Sequence, residues 1–357
     1  MLNHKIENPE KIYIEITNRC NLSCKLCFRY GQLKTYYNSD ISKQLFNKII
    51  SEAYEYNVES IMFGGWGEPL IHKNIIEFIE TTKKHDFTLE INTNGVLVEK
   101  NFREIVDYNV DKLIISIDAA SSEIYSRIRG NYFSSIIRGL KEIDKYKRNK
   151  NAKKPEIWFS YTLSTDNVDD ATNVVKLASN LNVRGIIFSN LIPISEKFQN
   201  KCLYSNEKLS VKNNNLKIEL ARLSLFHQVS VKLPFFELKT ERICPFIERK
   251  ATCITHKGRV TPCYNFLHDY QCYIYGRKKN IKQISYGNIR TQSLSSIWND
   301  PNYVKFRQLV KFFQFPSCTD CDFHYDCTFS DSNEYDCWGN SPTCADCLYS
   351  RKIIICP

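Results

Sequence analysis

TNRCNLSCKLCFR, residues 17–29, follows directly on KIYIEI at 11–16. The first six of these residues alternate and are rich in β-branched side chains, which predicts a strand. Cys20, Cys24 and Cys27 then fall in the loop after that strand with the spacing C-x3-C-x2-C. Three closely spaced thiolates can hold three irons of a [4Fe–4S] cube. No fourth cysteine is near, the next being Cys202. One iron is then left open to an outside ligand, which separates a reactive cluster from an electron carrier. The competing use is zinc, whose fourth ligand would come from His4 or His72, or a set of purely structural thiols.

Working outward, short β-rich runs recur at 60–63, 87–92, 112–117, 156–163 and 185–191. Stretches with apolar residues at helical spacing separate them, at 41–57, 73–84, 99–108, 121–128, 133–148 and 168–181. Six strands alternating with helices predict an α/β fold with a parallel sheet and right-handed crossovers. Six units fall short of the eight that close a barrel, so a partial (β/α)6 barrel is expected, with ligands at the C-terminal ends of its strands. A polar stretch at 195–215 precedes a helix near 214–226 and a strand at 229–233. These end a first domain at 1–235. From 236 to 357 periodicity fades, apart from a helix near 294–313, while eleven cysteines accumulate from Cys244 onward. This second domain is expected to have little regular structure and to rely on metal ligation in place of a large apolar core.

Composition narrows the class. The chain has 357 residues, 43% hydrophobic and 25% charged, an ordinary globular balance. No apolar run approaches the ~20 residues that span a bilayer, and the N-terminus has no apolar segment of the secretory type. A cytoplasmic protein without a membrane partner is expected. Its fifteen cysteines are odd in number and clustered, which in a reducing compartment means metal rather than disulfides. The net charge of +10 is spread along the chain. Its one dense basic patch, 145–154, reads as a solvated helix end and not as a nucleic-acid site.

Further motifs lie after the next strands. GGWGEP at 64–69 offers Gly64, Gly65 and Gly67, which let a backbone approach a ligand, and the carboxylate of Glu68. NTNG brings Asn94, SID brings Ser116 and Asp118, and IRG at 128–130 brings Arg129. With the three-cysteine loop, these residues resemble the radical S-adenosylmethionine (SAM) superfamily. One departure is Leu26, where the family usually has an aromatic residue before the third cysteine. The resemblance implies that Cys20, Cys24 and Cys27 hold a SAM-binding [4Fe–4S] cluster. It implies that the glycine-rich loop with Glu68 binds the amino group of SAM. Asn94, Ser116 and Asp118 would line the SAM pocket, and Arg129 would face its carboxylate or pair at the surface.

The C-terminal cysteines, with Gly258-x4-Cys263 and C-x2-C-x5-C at Cys318, Cys321 and Cys327, resemble the SPASM domain. That resemblance implies two auxiliary [4Fe–4S] clusters. One is expected on Cys244, Cys253, Cys263 and Cys337. The other is expected on Cys318, Cys321 and Cys327 with Cys347, or with Cys344 in its place. A cysteine usual in the family four residues after Cys327, with three residues between, is absent here, where Asp331 stands. Zinc bound by the C-x2-C pairs is the rival use of this segment. Tyr264, next to Cys263, is a candidate catalytic proton acceptor, or an aromatic packed on a cluster. The segments CYNFLHDYQCYIYGRKK and DSNEYDCWGNSPTCADCLYSRKIIICP resemble cofactor-modifying maturases of tungsten-containing aldehyde oxidoreductases. A protein, peptide or pterin-cofactor substrate is implied, with an electron donor such as ferredoxin or flavodoxin. The alternatives are a maturase of a ribosomally made peptide or a sulfatase, and a non-catalytic iron–sulfur carrier. A carrier needs neither an open iron nor a SAM pocket.

Overall fold

The computed structural model describes residues 8–27, 29, 39–205 and 211–356. Six parallel strands carry the first domain. They are β1 (Lys11–Ile14), β2 (Ser60–Phe63), β3 (Thr88–Thr93), β4 (Lys112–Ser116), β5 (Glu156–Leu163) and β6 (Gly185–Asn190). They lie side by side in chain order, every pair parallel. Helices α1 (Lys43–Glu55), α2 (Ile75–Lys84), α3 (Val98–Asp107), α4 (Ser122–Arg129), α5 (Phe133–Lys150) and α6 (Ala171–Asn180) form the crossovers. Then α7 (Val211–His227) leads to β7 (Ser230–Lys232), which pairs parallel with β6. The partial barrel read from periodicity is the observed architecture.

Alternation along the strands sorts side chains to two faces. Ile12, Ile14, Ile61, Phe63, Leu89, Ile91, Leu113 and Ile115 are buried in the large core that also takes in the helices. The other face is concave and layered. Lys11, Glu90 and Lys112 form a charged layer at one end, with Lys11 Nζ 2.5 Å and Lys112 Nζ 2.9 Å from the Glu90 carboxylate. Tyr13, Met62 and Ile114 form an apolar layer in the middle. At the C-terminal ends come Glu15, Asn92, Ser116, Ser160, Thr162 and Ser189, a polar layer.

The second domain is more regular than its sequence predicts. After α8 (Pro245–Glu248), β8 (Ala251–Ile254) pairs parallel with β1, and β9 (Arg259–Thr261) turns back on β8. The hairpin β10 (Tyr270–Ile274) and β11 (Arg277–Ile281) follows, and β12 (Gly287–Asn288) completes a ten-stranded sheet at its edge beside β9. The sheet therefore runs unbroken across the expected boundary at 235/236. Short strands with cysteine, threonine and lysine carry too little alternation to be seen locally, and pairing with β1 is what stabilises them. The helix expected over 294–313 is two helices, α9 (Leu294–Trp298) and α10 (Pro301–Lys311). Pro301 cannot continue a helix from Asp300, and Asp300 instead caps α10 by accepting from Asn302 and Tyr303. Phe246, Cys253 and Leu267 from this domain fill the concave apolar layer of the barrel. Among the described residues no helix is long and apolar enough to cross a membrane.

Candidate active site

A cavity of about 290 Å³ opens at the polar layer. Cys20, Cys24 and Cys27 line it together with Gly65, Gly67, Glu68, Asn94, Ser116, Asp118, Arg129 and Tyr264. The residues from Cys20 to Arg129 meet because parallel strands deliver their following loops to one end, and Tyr264 joins them from the second domain, 244 positions after Cys20. Gly64 lies just behind, with the Tyr264 hydroxyl 2.6 Å from where its Cβ would stand.

The cysteine loop and the glycine-rich loop pack flush. A Cβ on Gly67 would meet the carbonyl oxygen of Thr17 at 2.1 Å, so only glycine fits. The Glu68 amide donates to the Arg19 carbonyl at 2.7 Å. The carboxylate of Glu68 accepts from three protein donors. One oxygen accepts from Leu70 N (3.0 Å) and Thr93 Oγ1 (2.7 Å), the other from Asn94 N (2.6 Å). Burial pushes its pKa up, against these hydrogen bonds. Glu68 therefore caps the turn Pro69–Ile71 and fastens the NTNG loop to it. Glu68→Gln replaces one acceptor by a donor facing buried N–H and O–H groups, which costs about 1–3 kcal/mol. We expect a lowered thermal midpoint at unchanged iron content. Calorimetry with SAM titration on one reconstituted sample checks this, because a midpoint unchanged beside weakened SAM binding would return the carboxylate to the ligand.

Asn94 Nδ2 donates to Asn21 Oδ1 at 2.8 Å and lies 3.7 Å from Cys20 Sγ. Arg129 is paired inward: its Nε is 2.6 Å from Asp118 Oδ2 and its Nη1 is 3.9 Å from Cys24 Sγ. Asp118 in turn accepts from Thr162 N at 2.6 Å. Burial pushes the Cys24 thiol up to about 11, while the Arg129 guanidinium pulls it down. Three buried polar atoms of residues lining this cavity, Asn92 Oδ1, Asn190 Oδ1 and the Tyr264 hydroxyl, have no hydrogen-bond partner among the described residues. Three thiols of one loop and orphaned polar atoms in the same cavity fit a cluster held by that loop and a polar organic ligand on its open iron. Burial pushes the Tyr264 hydroxyl far above its ordinary pKa.

The structure brings Cys244 and Cys263 together, as expected, and adds two cysteines from far along the chain. Cys244, Cys263, Cys344 and Cys347 line one small cavity with Phe246, Pro262 and Phe266. Burial pushes all four thiols up, the Cys244 thiol to about 12. Four thiols in one buried place favour a metal that keeps them as thiolates. Cys253 does not join them there. It is fully buried in the barrel's concave layer beside Tyr13 and Cys356, with Cys244 and Cys263 also packed against that layer and their charges bearing on it. Cys337 is exposed, and its charge bears on the Cys318 thiol. Sequence spacing missed the Cys344 and Cys347 pairing because 81 residues separate Cys263 from Cys344. It also missed Ser160, Thr162, Ser189 and Asn190, which line the main cavity. Their position at the ends of β5 and β6 was a usable signal. Tyr349 and Cys356 also line it and had none.

Residues 14–178 match the model of the radical SAM superfamily, and residues 244–322 that of SPASM, an iron–sulfur cluster-binding domain. The chain belongs to the radical SAM superfamily and is a radical SAM enzyme whose cofactors are SAM and iron–sulfur clusters. Over 349 residues it is 36% identical to the tungsten-containing aldehyde ferredoxin oxidoreductase cofactor-modifying protein of Pyrococcus furiosus, covering 97% of this chain and 96% of that one. A probable GTP 3′,8-cyclase of Methanococcus maripaludis is 30% identical over 131 residues, 36% of this chain and 43% of its own. Among solved structures, anSMEcpe with bound AdoMet superposes with a TM-score of 0.65 at 16% identity, covering 96% of this chain and 90% of that one. Streptococcus suis SuiB bound to its precursor peptide SuiA superposes at 0.64 and 14% identity, covering 91% and 72%. These two likenesses are of fold.

Proposed function

We propose that this enzyme is a maturase that acts, through SAM cleavage, on the cofactor or the polypeptide of a tungsten-containing oxidoreductase. The end-to-end 36% identity with the cofactor-modifying protein carries this reading. Cys20, Cys24 and Cys27 would hold the SAM-binding cluster, and Cys244, Cys263, Cys344 and Cys347 one auxiliary cluster. Cys318, Cys321, Cys327 and Cys337 would hold the second. When bound, the cluster and SAM supply a 5′-deoxyadenosyl radical that takes a hydrogen atom from an unactivated C–H bond.

The chain's own residues orient and enclose. Glu68 fixes the glycine-rich loop against the NTNG loop, so the backbone groups that meet SAM are set before it binds. The Arg129–Asp118 pair fixes one wall, with Arg129 facing the cysteine loop. Asn92 Oδ1 offers an acceptor and the Tyr264 hydroxyl a donor to the bound molecules. Leu191, Ile192, Ile354 and Ile355 close the other side and exclude water. A reduced protein such as ferredoxin or flavodoxin would deliver the electron.

The test is deuterium transfer into 5′-deoxyadenosine. Reconstituted enzyme under dithionite is offered a tungsten oxidoreductase expressed in deuterated medium, or a deuterated precursor peptide. Label taken from the oxidoreductase or its pterin supports the reading. Label taken only from the peptide overturns it.

A further inference from the structure

Glu15 is the first residue past β1 and the only carboxylate among the described residues that the concave polar layer buries between two histidines. One of its oxygens is 2.6 Å from His256 Nδ1, the other 2.8 Å from His268 Nε2. Both histidines come from the cysteine-rich domain. His256 lies in the turn between β8 and β9, and His268 just before β10. All three side chains are buried, with Glu15 only 1% exposed. A carboxylate accepts, so both imidazoles donate to it.

The same carboxylate reaches the SAM loop. Its Oε1 accepts the backbone N–H of Trp66 at 3.2 Å. A Cβ on Gly65 would lie 2.8 Å from Glu15 Cγ, so the loop backbone rests directly on this side chain. The Trp66 ring stands edge-on to His268, with centroids 4.9 Å apart, and edge-on to Tyr270 at 5.5 Å. Trp66 and Tyr270 line the cavity, whereas Glu15, His256 and His268 stand behind it. A buried ionised carboxylate is tolerated only when fully paired. Here the pairing comes from one domain and the benefit is delivered to a loop of the other.

We propose that Glu15, His256 and His268 are positioning residues, a clasp between domains that holds the 64–68 loop in its SAM-binding form. It rests on the reading of that loop as the SAM site. The hydrogen-bond distances make a three-residue metal site the competing arrangement, since one nitrogen from each histidine and a carboxylate oxygen lie within 4.8 Å of one another.

The experiment compares wild type with Glu15→Gln and, as a milder second variant, His256→Asn, all as reconstituted full chains. The first readout is amide hydrogen exchange of a peptide spanning 64–68, without SAM. Faster exchange in Glu15→Gln at unchanged iron content is expected. The second is steady-state 5′-deoxyadenosine formation under dithionite. The KM for SAM should rise about tenfold, the loss expected for one charge-assisted hydrogen bond, while kcat stays within about twofold. A merely structural role would lower iron content and kcat together and leave KM. Should Glu15→Gln fail to load, the same two readouts on His256→Asn decide. Unchanged exchange and unchanged KM overturn the proposal. So does one equivalent of zinc or another divalent ion bound by wild type and lost in Glu15→Gln. If wild type itself fails to bind SAM, the proposed function falls, and the exchange comparison still tests the clasp.

Discussion

Replacing Cys20, Cys24 and Cys27 together by alanine is expected to lower iron from about twelve to about eight per chain and to abolish 5′-deoxyadenosine formation, on the basis of four irons per cluster. The three thiols belong to one loop and line one cavity, whereas eleven of the other twelve cysteines lie in the cysteine-rich domain, from Cys244 onward. Losing one set should leave the other to assemble. The fold should survive as well, because the barrel core is built from Ile12, Ile14, Ile61, Ile91 and their neighbours and not from these thiols. Iron and sulfide analysis with product chromatography on the reconstituted variant checks both halves. Product formed by the triple variant would show that SAM is cleaved elsewhere.

Cys344→Ala and Cys347→Ala are each expected to cost about four irons, while Cys253→Ala keeps all of about twelve. Spacing alone implies the reverse for Cys253, which falls between Cys244 and Cys263 in the chain. The structure puts it on β8, turned into the barrel beside Tyr13; Cys244 and Cys263 pack against its cluster, but it does not line the small cavity that those two share with Cys344 and Cys347. Removing one of four thiolates leaves a cluster with an open iron in a buried site, which is less stable and oxygen-labile. Electron paramagnetic resonance of the dithionite-reduced variants, beside iron analysis, distinguishes a lost cluster from a perturbed one. Loss of iron in Cys253→Ala with none in Cys344→Ala would restore the grouping by sequence spacing. In either case 5′-deoxyadenosine formation without substrate should persist, because the SAM-binding loop is untouched.

The first domain was legible because its signals are local. A strand of alternating β-branched residues, a helix of 3.6 periodicity and a loop of three cysteines are each written within a dozen residues. Their repetition sets a parallel sheet whose handedness and loop placement follow from chain chirality. So the residues after β1, β2, β3 and β4 could be assigned to one site before any coordinate was known. The role of Glu68 was not legible. The three donors it satisfies, Leu70 N, Thr93 Oγ1 and Asn94 N, come partly from another strand end, and only folding brings them to one carboxylate.

The second domain divides the same way. Its cysteines announced metal by number and spacing, since thiols so clustered have no other common use in a reducing compartment. Which thiols meet was decided by tertiary structure. β8 pairs with β1 across some 240 residues, the chain returns at 344–347 to close the cavity opened by Cys244, and the C-terminal Ile354, Ile355 and Cys356 come back to wall the main cavity. Sequence fixes residue types and short spacings, which are enough to name the chemistry. Contacts of long separation depend on how sheets extend and loops close. They left no periodic trace in the chain, and the pairing of Glu15 with His256 and His268 is the clearest case.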